Sequence, residues 1–169
     1  TEAEYLEMCA CKTGCLGRIV ARLAAIVTGN EDDEEHVARY AESMSVAFQI
    51  ADDVLDVEHA AERGGTFGKG AGNDVREGKK TLMVIRTVRA VGSERAARLE
   101  DILAAEENTD EEVMEVVETL RSTGAVEGAR ETARDLAAEA RDHLDRADLD
   151  PGTAEQLAEF TRFVVDREV

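Results

Sequence analysis

Apolar residues recur at three- and four-residue steps along nearly the whole chain, the spacing that lines one face of an α-helix. Over residues 4–28 the series is Tyr5, Met8, Cys9, Leu16, Ile19, Val20, Leu23, Ile26 and Val27, and Gly29-Asn30 stops it. A second helix is predicted over 33–58, with Val37, Tyr40, Ala41, Met44, Ala47, Phe48, Ala51 and Leu55 on its apolar face. The acidic run Glu31-Asp32-Asp33-Glu34-Glu35 opens it, where negative charge suits the positive end of the helix dipole. Residues 59–73, interrupted by five glycines, read as one long loop. Helical spacing returns over 74–91, and Ser93 is placed as the cap of a helix to about residue 105. Thr109-Asp-Glu-Glu is a capping-box sequence for a helix to 122. Gly124 breaks that helix, an Ala-rich one follows over 125–146, and Asp150-Pro151 forms an N-cap and first-turn pair for the last, to 167. Nothing alternates like a strand. The chain is expected to be a single all-α domain over 1–169, an antiparallel helical bundle.

Composition narrows the function classes. The 169 residues carry a net charge of −18, so sequence-independent nucleic-acid binding, which needs basic phosphate contacts, is excluded. There are 16 Arg but only 4 Lys, and the acids are spread through the helices rather than gathered in a tail. Such a surface suits high salt, where charge repulsion is screened, and points to a halophilic source. No run reaches the ~18 apolar residues of a transmembrane helix. With no signal peptide visible, the cytoplasm is the expected location. Cys9, Cys11 and Cys15 lack a fourth ligand at zinc-finger spacing and read as small apolar helix residues of a reducing compartment.

Scarcity makes the lysines informative, since Lys12, Lys69 and Lys79 all fall in segments with chemistry. The densest is Phe48-Gln49-Ile50-Ala51-Asp52-Asp53-Val54-Leu55-Asp56. Helical spacing directs Gln49, Asp52, Asp53 and Asp56 toward a common side, among apolar neighbours. Like charges so placed need a cation or strong donors, and hard oxygens that leave room for water and phosphate suit Mg²⁺. Lys12-Thr13 pairs an ammonium with a hydroxyl, as a phosphate oxygen could use. Gly68-Lys69-Gly70-Ala71-Gly72-Asn73-Asp74, followed by Glu77-Gly78-Lys79-Lys80-Thr81, combines a pliable backbone with compact cations. Phosphate binding and a plain surface loop both remain open for it on spacing alone. It is not a P-loop, because the glycine spacing fails.

Taken in order, these segments resemble the C-terminal half of a trans-isoprenyl diphosphate synthase of the farnesyl and geranylgeranyl type. The resemblance runs from Tyr5 to about Leu82. It implies the C-terminal part of the isoprenoid synthase fold and a prenyltransferase that condenses isopentenyl diphosphate with an allylic diphosphate, using Mg²⁺, as a homodimer. It also implies metal ligation by Asp52, Asp53 and Asp56. Lys12, Thr13, Gln49, Lys69 and Lys79 are implied to meet the allylic substrate, chiefly its diphosphate, with Lys12, Lys69 and Asp52 carrying the catalysis. The family's first aspartate-rich motif and its N-terminal isopentenyl site have no counterpart, and Met83 stands where the family often has Pro. The chain is therefore expected to be part of a longer protein and inactive alone. The alternatives are a non-catalytic helical subunit that partners an intact synthase, or a relative of the class I terpene and squalene synthases.

Overall fold

The computed structural model describes residues 1–62 and 72–165, and among them every regular element is helical. The helices are α1 (Glu2–Cys9), α2 (Cys15–Thr28), α3 (Glu34–Glu62), α4 (Asn73–Arg76), α5 (Leu82–Ala90), α6 (Ser93–Ala104), α7 (Asp110–Ser122), α8 (Ala125–Leu144) and α9 (Pro151–Val165).

Two local departures from the periodicity matter for function. A single π-helical turn, Ala10–Gly14, joins α1 to α2 and carries Lys12 and Thr13. Insertions of this kind re-aim side chains and occur often at functional sites. The stretch expected as one helix over 74–91 is two, α4 and α5. Gly78 separates them at φ +65, and a Cβ there would sit 2.2 Å from the Leu103 carbonyl oxygen. Only glycine accepts both that dihedral and that approach. Thr81 then caps α5 by accepting from the Val84 amide. The other ends follow local sequence more closely. Thr109 and Glu112 form the reciprocal capping box of α7. Asp150 Oδ2 accepts the Thr153 amide at 2.9 Å, just ahead of Pro151. Gly92, not Ser93, occupies the cap position of α6. Helix α3 continues to Glu62, beyond its expected end at 58.

The chain packs as two compact units. The first comprises residues 1–5 and 52–130, the second residues 6–51 and those from 131 onward. In the first, α5, α6 and α7 pack against one another and α4 meets α7. Leu82, Met83, Ile102, Val113, Val116, Val117 and Leu120 are fully buried. In the second, Tyr40 and Met44 of α3 join Ala137, Ala140 and Leu144 of α8 and Val164 of α9 in one cluster. The acidic start of α3 does more than complement a dipole. Glu34, Glu35 and Glu42 pair with Arg18 and Arg22 of α2 at 3.3 Å or less.

Cys9 is buried as expected of a small apolar residue, but Cys11 and Cys15 are exposed. Periodicity cannot distinguish an apolar face that is covered from one that is not. On α2 the stripe is open, with Leu16 65% and Val27 84% exposed.

Candidate functional site

The residues singled out in the sequence fall into two groups, one in each unit. In the first unit the organising residue is Asp53, which is 2% exposed. A carboxylate at that depth must have its lone pairs met by donors. The Tyr5 hydroxyl donates to Oδ2 at 2.7 Å, and the Lys79 ammonium donates to Oδ1 at 2.7 Å. Lys79 also donates to Oδ2 of Asp74 at 2.9 Å. The tight turn at Gly78 makes this reach possible, and the Lys79 amide closes the turn on the Asp74 carbonyl at 2.9 Å. Burial works against the Lys79 ammonium, but its hydrogen bonds to Asp53 and Asp74 and their negative charge outweigh it and raise its pKa well above the ordinary lysine value. Lys79 is therefore a fixed cation.

Asp56, one turn beyond Asp53, is half-buried. Its Oδ1 accepts the Asn73 amide at 3.2 Å and its Oδ2 the Asp74 amide at 3.1 Å. Burial pushes its pKa up, while those amides and the Lys79 charge pull it down. Asp52 is exposed. The three aspartates of the motif thus have different surroundings, although helical spacing alone directs them alike. Among the described residues no three His, Cys, Asp or Glu side chains converge as a preformed metal cage. A Mg²⁺ site needs less, because that ion commonly takes one or two carboxylates and fills the rest of its shell with water and phosphate oxygens. The hard-oxygen pair Asp52 and Asp56 fits that requirement.

In the second unit, Lys12 is exposed and Thr13 half-buried on the π-turn. The Thr13 hydroxyl lies 3.4 Å from Oε1 of Gln49 and donates to it. Thr13 also stands on the rim of an apolar groove of about 760 Å³, walled by Leu16, Val20, Tyr40, Phe48 and Phe160. Lys69 and its glycines up to Ala71 lie outside the described residues.

Two contributors escaped the sequence reading. Tyr5 was visible only as an apolar helix position. The available signal was chemical: a tyrosine on a core-facing stripe needs a partner for its hydroxyl. Asp74 lay inside the glycine-rich segment without an assigned role.

The polyprenyl synthetase family model matches residues 1–120. A geranylgeranyl pyrophosphate synthase from Geoglobus acetivorans is 34% identical over 168 residues, covering 99% of this chain and 49% of that protein. A decaprenyl diphosphate synthase from Rhodobacter capsulatus superposes with a TM-score of 0.88 at 27% identity, over 99% of this chain and 51% of the other. A polyprenyl synthase from Caulobacter crescentus, in complex with calcium and isoprenyl diphosphate, gives 0.86 at 30% identity, over 100% and 51%. The chain therefore spans about half the length of these relatives. With a family match over most of its length and the same all-α fold, it belongs to the polyprenyl synthetase family, that of the trans-isoprenyl diphosphate synthases.

Proposed function

We propose that this chain supplies the half of a short-chain prenyltransferase that binds and ionises the allylic diphosphate. The reaction joins isopentenyl diphosphate to an allylic diphosphate, farnesyl or geranylgeranyl diphosphate being the products of the type. The observation that carries this reading is the Lys79 ammonium clamped between Asp53 and Asp74, with Asp56 and Asp52 on the adjoining helix. A cation fixed before the substrate arrives stabilises charge on a leaving diphosphate without reorganising during the reaction. Asp52 and Asp56 would hold a divalent ion, Mg²⁺, which when bound draws electron density from the departing diphosphate. Asp53 faces Lys79 and Tyr5, and its part is to set the lysine. In the second unit, Lys12 would offer a charge to diphosphate oxygens, and the Thr13 hydroxyl would donate to them on turning away from Gln49 Oε1. Gln49 accepts from that hydroxyl before a diphosphate arrives, and the apolar groove with Thr13 on its rim would take a prenyl tail and keep water from a carbocation. Lys69 is proposed as a further diphosphate ligand on the family resemblance.

The calcium and isoprenyl diphosphate bound by the Caulobacter synthase support a divalent ion and a diphosphate in this fold. Among the described residues no helix is long and apolar enough to cross a membrane. The complete enzyme is proposed to work in the cytoplasm as a homodimer, in a cell with high internal salt. The salt reading is checked by melting the chain in KCl. Its melting temperature should rise between 0.1 M and 1 M as the screening length falls from ~10 Å to ~3 Å.

The direct test is calorimetric titration with inorganic pyrophosphate, with and without Mg²⁺. Mg²⁺-dependent binding that Asp52→Ala abolishes is expected. Titrations that show no heat under either condition, in a folded sample, contradict the reading.

A further inference from the structure

We infer that Tyr5 is a positioning residue for the diphosphate site: its hydroxyl orients Asp53 so that this carboxylate holds the Lys79 ammonium in one place. Tyr5 is 4% exposed and lies 48 positions before Asp53, yet its hydroxyl meets Oδ2 at 2.7 Å in a buried hydrogen bond. Such charge-assisted O–H···O⁻ contacts are short and about twice as strong as neutral ones. Lys79 holds the carboxylate at Oδ1. With Tyr5 on Oδ2 and Lys79 on Oδ1, the plane is set from both ends. Asp74 provides the second anchor for the ammonium.

The helix that carries Tyr5 is itself tied down close by. Glu2, one turn earlier, accepts from Arg86 of α5 at 3.0 and 2.9 Å, and Arg89 stands 3.5 Å from its other oxygen. The phenol therefore approaches Asp53 from a helix anchored to α5, the support a positioning group needs. Packing does not explain the hydroxyl, since Phe would fill the same apolar volume.

The role rests on the proposal that Lys79 binds diphosphate, so the test has one arm that does not depend on it. That arm is the ¹H–¹⁵N spectrum of the lysine side-chain ammonium groups, with Lys79 assigned by Lys79→Gln. In the unaltered chain the Lys79 signal should be protected from exchange, and Tyr5→Phe should shift and broaden it. The second arm is calorimetric titration with Mg²⁺ and inorganic pyrophosphate. Tyr5→Phe should weaken binding about tenfold, the scale of losing one hydrogen bond to a charged group. In an Asp53→Asn background it should weaken binding no further, because a residue that acts through Asp53 has nothing left to orient. Should Asp53→Asn fail to fold, Lys79→Gln serves as the background with the same expectation. An unchanged Lys79 signal in Tyr5→Phe, with only a lower melting temperature, overturns the inference and leaves Tyr5 a packing residue. A shifted Lys79 signal in a chain that binds no pyrophosphate supports the positioning role and counts against the proposed function instead.

Discussion

The two units treat their exposed and buried groups in opposite ways. In the first, the polar centre is closed: both oxygens of the buried Asp53 are met, Lys79 has two carboxylates, and Asp56 has two amides. In the second, the apolar centre is open: a groove of about 760 Å³ runs beside α2, whose outer face leaves Leu16, Ile19, Val20, Leu23, Ile26 and Val27 about half or more exposed. The polar groups of the first unit are thus partnered within this chain, while the groove and the α2 stripe of the second stay open. The family relatives are about twice as long as this chain.

Breaking the polar centre should have the largest effect. Asp53→Ala leaves a half-buried ammonium and a buried phenol short of an acceptor, and should cost about 3 kcal/mol in urea denaturation. The triple change Tyr5→Phe, Asp53→Leu and Lys79→Met should recover most of that loss, since a buried ion pair contributes little net stability over apolar groups of similar size. It should not recover Mg²⁺-dependent pyrophosphate binding. Stability regained without binding would show that the centre is kept for chemistry rather than for folding.

The groove side should respond more weakly. Tyr40 of α3 donates to the Leu157 carbonyl at 2.9 Å and accepts from Thr161 at 3.4 Å. Tyr40→Phe should cost about 1 kcal/mol, one ordinary hydrogen bond. Burial raises the Tyr40 pKa above its ordinary value of 10.0, against a smaller lowering by Thr161. The neutral phenol is therefore favoured in the folded state. Its contribution is fully present below pH 10 and is lost as pH rises through the folded-state value, because the unfolded chain ionises first. The stability difference between the parent and Tyr40→Phe, measured by denaturation at pH 8 and above pH 10, should shrink at the higher pH.

The open stripe should respond least. Leu16→Gln or Val27→Gln should change stability by no more than about 0.5 kcal/mol, as expected where a side chain is already in water. Self-association, read by light scattering, should fall instead. A loss of about 2 kcal/mol at either position, the scale of a buried side chain, would mean that the stripe is covered within this chain.

The contrast also separates what was legible in sequence from what was not. Helix ends with local chemistry were legible: Thr109 with Glu112, and Asp150 with Pro151, act within three residues of each other. The motif Asp52, Asp53 and Asp56 was legible as a group, but not the different surroundings of its members. The burial and pairing of Asp53 depend on Tyr5, 48 positions upstream, and on Lys79, 26 positions downstream. The break before α5 has local signals that apolar periodicity does not register, Gly78 at φ +65 and Thr81 as the next cap; the Leu103 carbonyl adds why only glycine fits there. The open stripe on α2 escaped because period 3.6 reports an apolar face and says nothing about its cover.

The most direct measurement supplies what the chain does not span. The chain is mixed with a separately expressed N-terminal half of a family member, labelled isopentenyl diphosphate, geranyl diphosphate and Mg²⁺, and organic-extractable isoprenyl product is counted after acid treatment. Product from the mixture, none from either half alone, and none when the chain carries Asp52→Ala is the result this account predicts. Product from this chain alone at a rate comparable to that of the mixture would contradict it, as would product from the mixture that Asp52→Ala leaves unchanged.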